Sequence, residues 1–373
     1  MAKRSEIEYK LAQMFIVGVP GTELAPASKE FLEDYQPGGI IYFAPNYETP
    51  ALLHEMSENI QSTRDKGRNL PLFISVDHEG GRVQRFRKPF THFPEPAEIG
   101  DIASPKLAFL VAEVMAKELR SVGVNLDFHP LCDIHTRPSN PVIGRRSFGS
   151  DDELVSRIAS AMVRGFVANK VIACAKHFPG HGDTTVDSHY DLPMVDVSWE
   201  DLMKRELKPF IRVIRSRVDM IMTAHILNKA LDPIYPATLS YTTITNLLRK
   251  ELRYNKLVIT DDMQMDAVVK HFGEEDMIAL AINAGCDLLC YRHEERGRKA
   301  MDIAFKFLET GRITAEQVEA AYARIYEVKD RMLMPYKIPP IEDTSKIIGC
   351  EAHQEVLRMV QEKRPPAGQL AEA

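Results

Sequence analysis

The densest chemistry in this chain lies between Val171 and Asp191, VIACAKHFPGHGDTTVDSHYD. It holds Lys176, His177, His181, Asp183, Asp187 and His189, interspersed with Pro179, Gly180 and Gly182. Cations and imidazoles of this kind bind hydroxyls through charged hydrogen bonds and move protons near neutral pH. Asp187 and His189 stand two residues apart, so in extended backbone they point the same way and can share a hydrogen bond. A carboxylate on one ring nitrogen fixes the tautomer and favours the imidazolium. The other nitrogen is then free to give and retake a proton. Other ionisable groups lie far away in sequence: Asp77 and Arg85 in VDHEGGRVQRF, Arg145 and Arg146 in NPVIGRRSFG, and Asp261 and Asp262 in VITDDMQM. For these to act together, the fold must bring distant segments to one place.

The elements that could do so are short apolar runs, each ending in polar or turn residues. They are Met14–Val19, Gly39–Phe43, Leu72–Val76, Val124–Phe128, Val171–Lys176, Met220–Ala224, Leu257–Thr260 and Asp287–Tyr291. Between them lie segments with helical spacing, among them Pro50–Arg64, Pro105–Arg120, Asp152–Asn169, Glu200–Ser216 and Leu247–Arg253. Buried strands alternating with amphipathic helices imply a parallel sheet covered by helices. Eight repeats favour closure into a (β/α)8 TIM-type barrel, read here as a single catalytic domain over residues 1–340. In such a barrel every strand ends at one mouth, where chemistry is placed. Asp77, His129 and Asp133, Lys176 and His177, His225, Asp261 and Asp262, and Arg292 and His293 all follow the ends of runs. A long helix is expected over Thr314–Met332, ended by Pro335, Pro339 and Pro340. A C-terminal extension over 341–373 carries a helical stretch near Glu351–Glu362 and then a frayed polar tail.

Composition narrows the class further. The chain has 373 residues, 45% hydrophobic and 27% charged, with a formal net charge of -6. That balance argues for a globular protein and against a nucleic-acid or anionic-membrane surface. Cys132, Cys174, Cys286, Cys290 and Cys350 form no close pair and read as small buried hydrophobes in a reducing compartment. The N-terminus has no apolar segment ending at a small-residue cleavage site, and no window resembles a membrane span. A cytoplasmic protein is the expectation. No GxGxxG follows an early strand, so a dinucleotide crevice has no support.

The motifs KHFPGHGDTTVDSH, VDHEGGRVQRF, NPVIGRRSFG and VITDDMQM occur in order, and with them the chain resembles family 3 glycoside hydrolases from about Lys10 to Met332. The specific resemblance is to the bacterial β-N-acetylhexosaminidase branch. It implies a (β/α)8 barrel that removes non-reducing N-acetylglucosamine from cell-wall fragments with retention of configuration, without cofactor or metal. The partner implied is a small carbohydrate or muropeptide. The resemblance makes Asp261 the nucleophile and His189, paired with Asp187, the proton donor and base. Asp77, Arg85, Arg146, Lys176 and His177 match contacts to sugar hydroxyls. Asp262 then reads as an orienting or capping group, and His181 and Asp183 as residues that shape the loop. Arg82 and Arg145 read as structural, Met263 and Met265 as pocket or core, and Gly80 and Gly81 as a close approach of backbone to the ring. Phe128-His129 and Arg145 depart from the family pattern. The loop Phe178–Tyr190 is expected to close over bound sugar, with Pro179, Gly180 and Gly182 as pivots.

Other chemistries draw on the same residues. Lys176, His177, His181, His189, His225 and Asp261 could surround a binuclear zinc, although no His-x-His follows the first run. Lys176 could form a Schiff base. A sugar-binding barrel would need the pocket without catalysis. Within the same family, a β-glucosidase or a glycoside phosphorylase would use nearly identical side chains.

Overall fold

The computed structural model of the chain describes residues 4–65, 67–184 and 192–367. Eight parallel strands close into a barrel: β1 (Phe15–Gly18), β2 (Gly39–Tyr42), β3 (Phe73–Val76), β4 (Leu126–Asp127), β5 (Ile172–Phe178), β6 (Met220–Thr223), β7 (Leu257–Asp262) and β8 (Leu288–Tyr291). The barrel closes between β1 and β8, with Phe15 opposite Leu289 and Ile16 opposite Cys290. Each of the eight apolar runs contains or overlaps one strand. Most of these strands are buried along their whole length, as expected of a sheet with side chains filling its inside and helices covering its outside.

The helices begin where small polar residues precede proline or acidic residues. Thr49, Ser104 and Asp151 cap the helices Pro50–Ser62, Pro105–Ser121 and Asp152–Ala168 through side-chain oxygens. Thr314 and Gln317 form a capping box at the start of Ala315–Leu333. Three elements differ from the sequence reading. β4 is only two residues long, because the Asn125 side chain takes over part of the ladder, accepting from Ile74 N and donating to Leu72 O. The segment expected as one helix over Glu200–Ser216 is split. A widened turn over Leu202–Glu206 precedes Lys208–Arg215, and Pro209 there lacks the amide that would continue the earlier helix. The helix expected from Leu247 starts at Thr242, where Ser240 Oγ accepts from Thr243 N; the β-branched threonines had masked its helical spacing.

At the N-terminal end of the barrel, fixed ion pairs and one lysine seal the interior. Asp219, just before β6, meets Lys256 and Arg331, while Asp287, before β8, meets Arg249 and Arg324 at 2.7 and 2.8 Å. Lys329 is fully buried, donates to Gln13 Oε1 and to Gly38 O, and lies 4.7 Å from the Phe73 ring centre. The helices Ile341–Ile347 and Glu351–Gln361 pack on the outside of the barrel. Thr344 bonds Ser121 O, and the His353 ring meets the buried Glu118 carboxylate at 2.8 Å. Cys132, Cys174, Cys286 and Cys290 are buried free thiols, and Cys350 is half-buried. Among the described residues no helix is long and apolar enough to cross a membrane.

Candidate active site

Two strands lose regular register just where they reach the C-terminal mouth. The β5–β6 pairing shifts between Ala175 and Phe178, and the β7–β8 pairing shifts between Ile259 and Asp262. Irregularities of this kind re-aim side chains. They fall on Lys176–His177 and on Asp261, and all three side chains line one cavity of about 280 Å³ at the mouth. Asp77, Arg85 and Arg146 line it too, so the six sequence candidates among the described residues converge. Asp187 and His189 lie outside the described residues.

One wall of the cavity is a ladder of alternating charge. Arg85 Nη2 lies 3.3 Å from Asp77 Oδ2, and Asp77 Oδ1 accepts from Lys176 Nζ at 2.7 Å. Lys176 also meets Glu79 Oε1 at 2.7 Å, and Glu79 takes both ends of the Arg146 fork at 2.7 and 2.8 Å. Glu79 is fully buried. Burial alone would raise the Glu79 and Asp77 pKa values, but the neighbouring cations outweigh it and hold both below the ordinary carboxylate range. For Lys176, burial works against the charge, and Asp77 and Glu79 raise its pKa despite that. Lys176 is therefore a fixed ammonium, which removes the free amine a Schiff base requires.

The opposite side is built around Asp261. Its Oδ1 accepts from Asp262 N at 2.7 Å. Burial opposes ionisation, yet the His177 and His225 imidazoles and that backbone bond keep its pKa below the ordinary value. Asp262 is shifted the other way, up, by burial foremost and by the Asp261 charge. Its Oδ1 accepts from Gln264 N and Arg292 N, so it closes the turn after β7. The pKa values of two adjacent carboxyls that line the cavity are thus pushed in opposite directions, Asp261 down and Asp262 up. His177 is oriented by Asp133, whose Oδ2 lies 2.7 Å from its Nδ1, and Asp133 Oδ1 also accepts from His181 N at 2.7 Å. Glu79 and Asp133 organise the site, and the sequence assigned neither a role. Both follow strand ends, which was the one available signal.

The beginning of the long loop is pinned. His181 is buried, with its Nδ1 2.8 Å from Thr184 Oγ1, and burial lowers its pKa to about 4. Asn140 donates to the carbonyls of His181 and Gly182, and Asp183 meets Arg137. A Cβ at Gly182 would overlap Ile134 O, so this glycine allows a close approach of two backbones and is not a pivot. Gly80 and Gly81 are corrected likewise. Both have positive φ, and a side chain would strike Pro94 O or Glu95, so they seat the 93–95 segment. Met265 lines the cavity, and Met263 is core. His129 is buried between Phe148 and Phe166, and burial lowers its pKa to about 3. Among the described residues no three His, Cys, Asp or Glu side chains gather as a metal site requires. His225 is committed at both ring nitrogens, to Thr238 Oγ1 and Asp262 O.

Comparisons with known proteins place the chain in a family. Residues 6–328 match the Glycosyl hydrolase family 3 N terminal domain. The chain is 36% identical over 358 residues to the beta-hexosaminidase A of Pseudoalteromonas piscicida, covering 89% of this chain and 59% of that one. It is 32% identical to the beta-hexosaminidase of Nitrosomonas eutropha, covering 84% of this chain and 92% of that one. The structure of a family 3 beta-N-acetylglucosaminidase from Paenibacillus sp. str. FPU-7 superposes with a TM-score of 0.88 at 36% identity, over 96% of this chain and 69% of that one.

Proposed function

The chain belongs to glycosyl hydrolase family 3, and from that premise we propose that it hydrolyses terminal β-linked N-acetylglucosamine with retention of configuration, acting on cell-wall fragments. The observation that carries this reading is the pairing of an ionised Asp261 with a polar wall of fixed charge across a small cavity. Names of the relatives support the glycoside class.

In the proposed reaction the hydroxyls of one sugar ring bond to Asp77, Lys176, His177, Arg85 and Arg146. Their geometry is set before substrate arrives, because Glu79 and Asp133 hold the cations and the imidazole in place. Asp261 attacks the anomeric carbon and forms a glycosyl ester as the bond to the leaving oxygen breaks. That oxygen takes a proton from His189, which Asp187 orients. Water then attacks the ester, His189 takes its proton, and Asp261 leaves as carboxylate.

Release from chromogenic β-glycosides of N-acetylglucosamine, glucose and xylose, each with and without phosphate, tests the reading. The expected result is hydrolysis of the N-acetylglucosaminide, insensitive to chelator and to phosphate. Activity lost to chelator and restored by zinc, or a sugar phosphate as product, would overturn it. His189→Ala is expected to lower turnover by roughly 10²–10⁴. The loss should shrink for leaving groups that depart without protonation.

A further inference from the structure

Arg85 reaches the active-site cavity from a short hairpin and not from a barrel strand. The hairpin follows β3 and pairs His78–Gly80 with Val83–Gln84, and Arg82, Val83 and Arg85 all line the cavity. The hold of Arg85 on its surroundings is slight. One contact of 3.3 Å reaches Asp77, and its Nε is buried with no hydrogen-bond partner among the described residues. The place of the guanidinium therefore depends on the backbone that carries it. That backbone is tied to the segment returning through residues 86–93. Gln84 Nε2 donates to Thr91 O at 2.9 Å, and Gly81 N donates to Phe93 O at 2.9 Å. The Phe86 and Phe90 rings pack on each other and on the His78 ring, so hairpin and return segment form one unit.

The anchor of this unit is Thr91. Its N and Oγ1 donate to the two oxygens of Glu118, at 2.8 and 2.6 Å. Glu118 is buried on the helix Pro105–Ser121, and no Lys or Arg among the described residues pairs with it. Its other donors come from the C-terminal helices. Gly349 N donates to Oε1 at 2.9 Å, and the His353 ring stands 2.8 Å from the same oxygen. These residues are 231 and 235 positions away along the chain. A buried carboxylate must have its acceptor sites filled, so loss of either donor is felt at Thr91. The turn also touches the return segment directly. Gly349 has positive φ, and a Cβ there would stand 2.4 Å from Pro89 O. Gln354 Nε2 lies 3.4 Å from Thr91 Oγ1. No residue of the two C-terminal helices lines the cavity.

We propose that Gly349 and His353 are positioning residues for the substrate-binding wall: through Glu118 and Thr91 they fix the hairpin that presents Arg85. The inference rests on the hydrolase reading above and adds the part of the chain that holds one sugar contact in place. His353→Leu removes the donor, and His353→Asn returns one near the Nδ1 position. With an aryl N-acetylglucosaminide, His353→Leu is expected to raise KM about fivefold and leave kcat within about twofold, because a contact weakened equally before and during bond breaking moves KM alone. His353→Asn should restore KM to within about twofold. In an Arg85→Gln background His353→Leu should add less than about twofold, since the contact it acts through is already gone. Amide hydrogen exchange needs no substrate. Residues 80–86 should exchange at least about fivefold faster in His353→Leu, with Ile172–Phe178 unchanged. Should His353→Leu not fold, Thr91→Val cuts the same connection from the other end with little change in volume, and the same pattern is expected of it. A lowered melting temperature with KM and hairpin exchange as in the wild type would overturn the proposal and make the C-terminal helices a brace for stability alone. So would a KM rise that multiplies in full onto Arg85→Gln. No cleavage of any N-acetylglucosaminide by the wild type would instead sink the hydrolase reading, and the exchange measurement would still decide whether His353 holds the hairpin.

Discussion

The two ends of the barrel both bury charge, and they treat it in opposite ways. At the N-terminal end Asp219 and Asp287 each meet two cations, and Lys329 bonds only to neutral oxygens. At the C-terminal mouth Arg85, Arg292 and Asp261 keep capacity that no protein group among the described residues uses up. One end is organised for closure and the other for a guest. Substitutions at the mouth should therefore change turnover more than stability, and those at the floor the reverse.

The sharpest test is Asp261→Asn. Loss of the nucleophile should lower turnover by about 10⁴ or more, while circular dichroism and the melting temperature stay close to wild type. Trapping with an activated fluoro-sugar should label Asp261, and labelling at Asp262 would move the role by one residue. Glu79→Gln comes next, and it blurs the contrast because Glu79 is a floor-like group at the mouth. It leaves Lys176 and Arg146 short of a buried counter-charge, at a cost of about 3 kcal/mol, and should raise KM and lower kcat together. A denaturant titration paired with kinetics would detect both effects. Asp133→Asn should lower kcat by roughly tenfold by freeing the His177 tautomer, with a displaced pH–rate profile; an unchanged profile would make Asp133 merely structural.

The smallest effect on activity is expected at the floor. Burial holds the Lys329 pKa well below the ordinary lysine value. The unfolded chain therefore binds the proton that the folded chain lacks, and this lysine costs stability as pH falls from about 10.4 toward its folded value. Lys329→Met should leave turnover within about twofold and remove that dependence. The stability difference between wild type and variant should shift by at most about 1.4 kcal/mol per pH unit across the window. A difference that does not move with pH would mean that Lys329 stays charged.

How much of this was legible in the sequence differs by residue. Strand ends were visible because a buried apolar run stops abruptly at a charge, which located Asp77, Lys176, His177 and Asp261. Glu79 and Asp133 sit among the same strand ends, but their work is to pair with groups brought near only when the barrel closes. Arg146 and Lys176 are 67 and 97 positions from Glu79 in order, and no local pattern encodes that meeting. Lys329 was hidden for the opposite reason: on an amphipathic helix a lysine reads as solvent-facing, and only the third dimension puts it inside. Gly80, Gly81 and Gly182 were recognised as permissive, but what they approach is neighbouring protein: the backbone of Pro94 and Ile134 and the Glu95 residue. The resemblance carried the parts that spacing could not, including the roles given to Asp187 and His189.

The clamped state of Lys176 has a bearing on durability. Hydrolysis as proposed releases a reducing sugar, whose open-chain aldehyde condenses with uncharged amines. An enzyme with a neutral lysine in its glycosidic pocket would slowly glycate itself with its own product. Asp77 and Glu79 hold Lys176 as an ammonium, so the amine that lines the pocket is poorly able to capture that aldehyde.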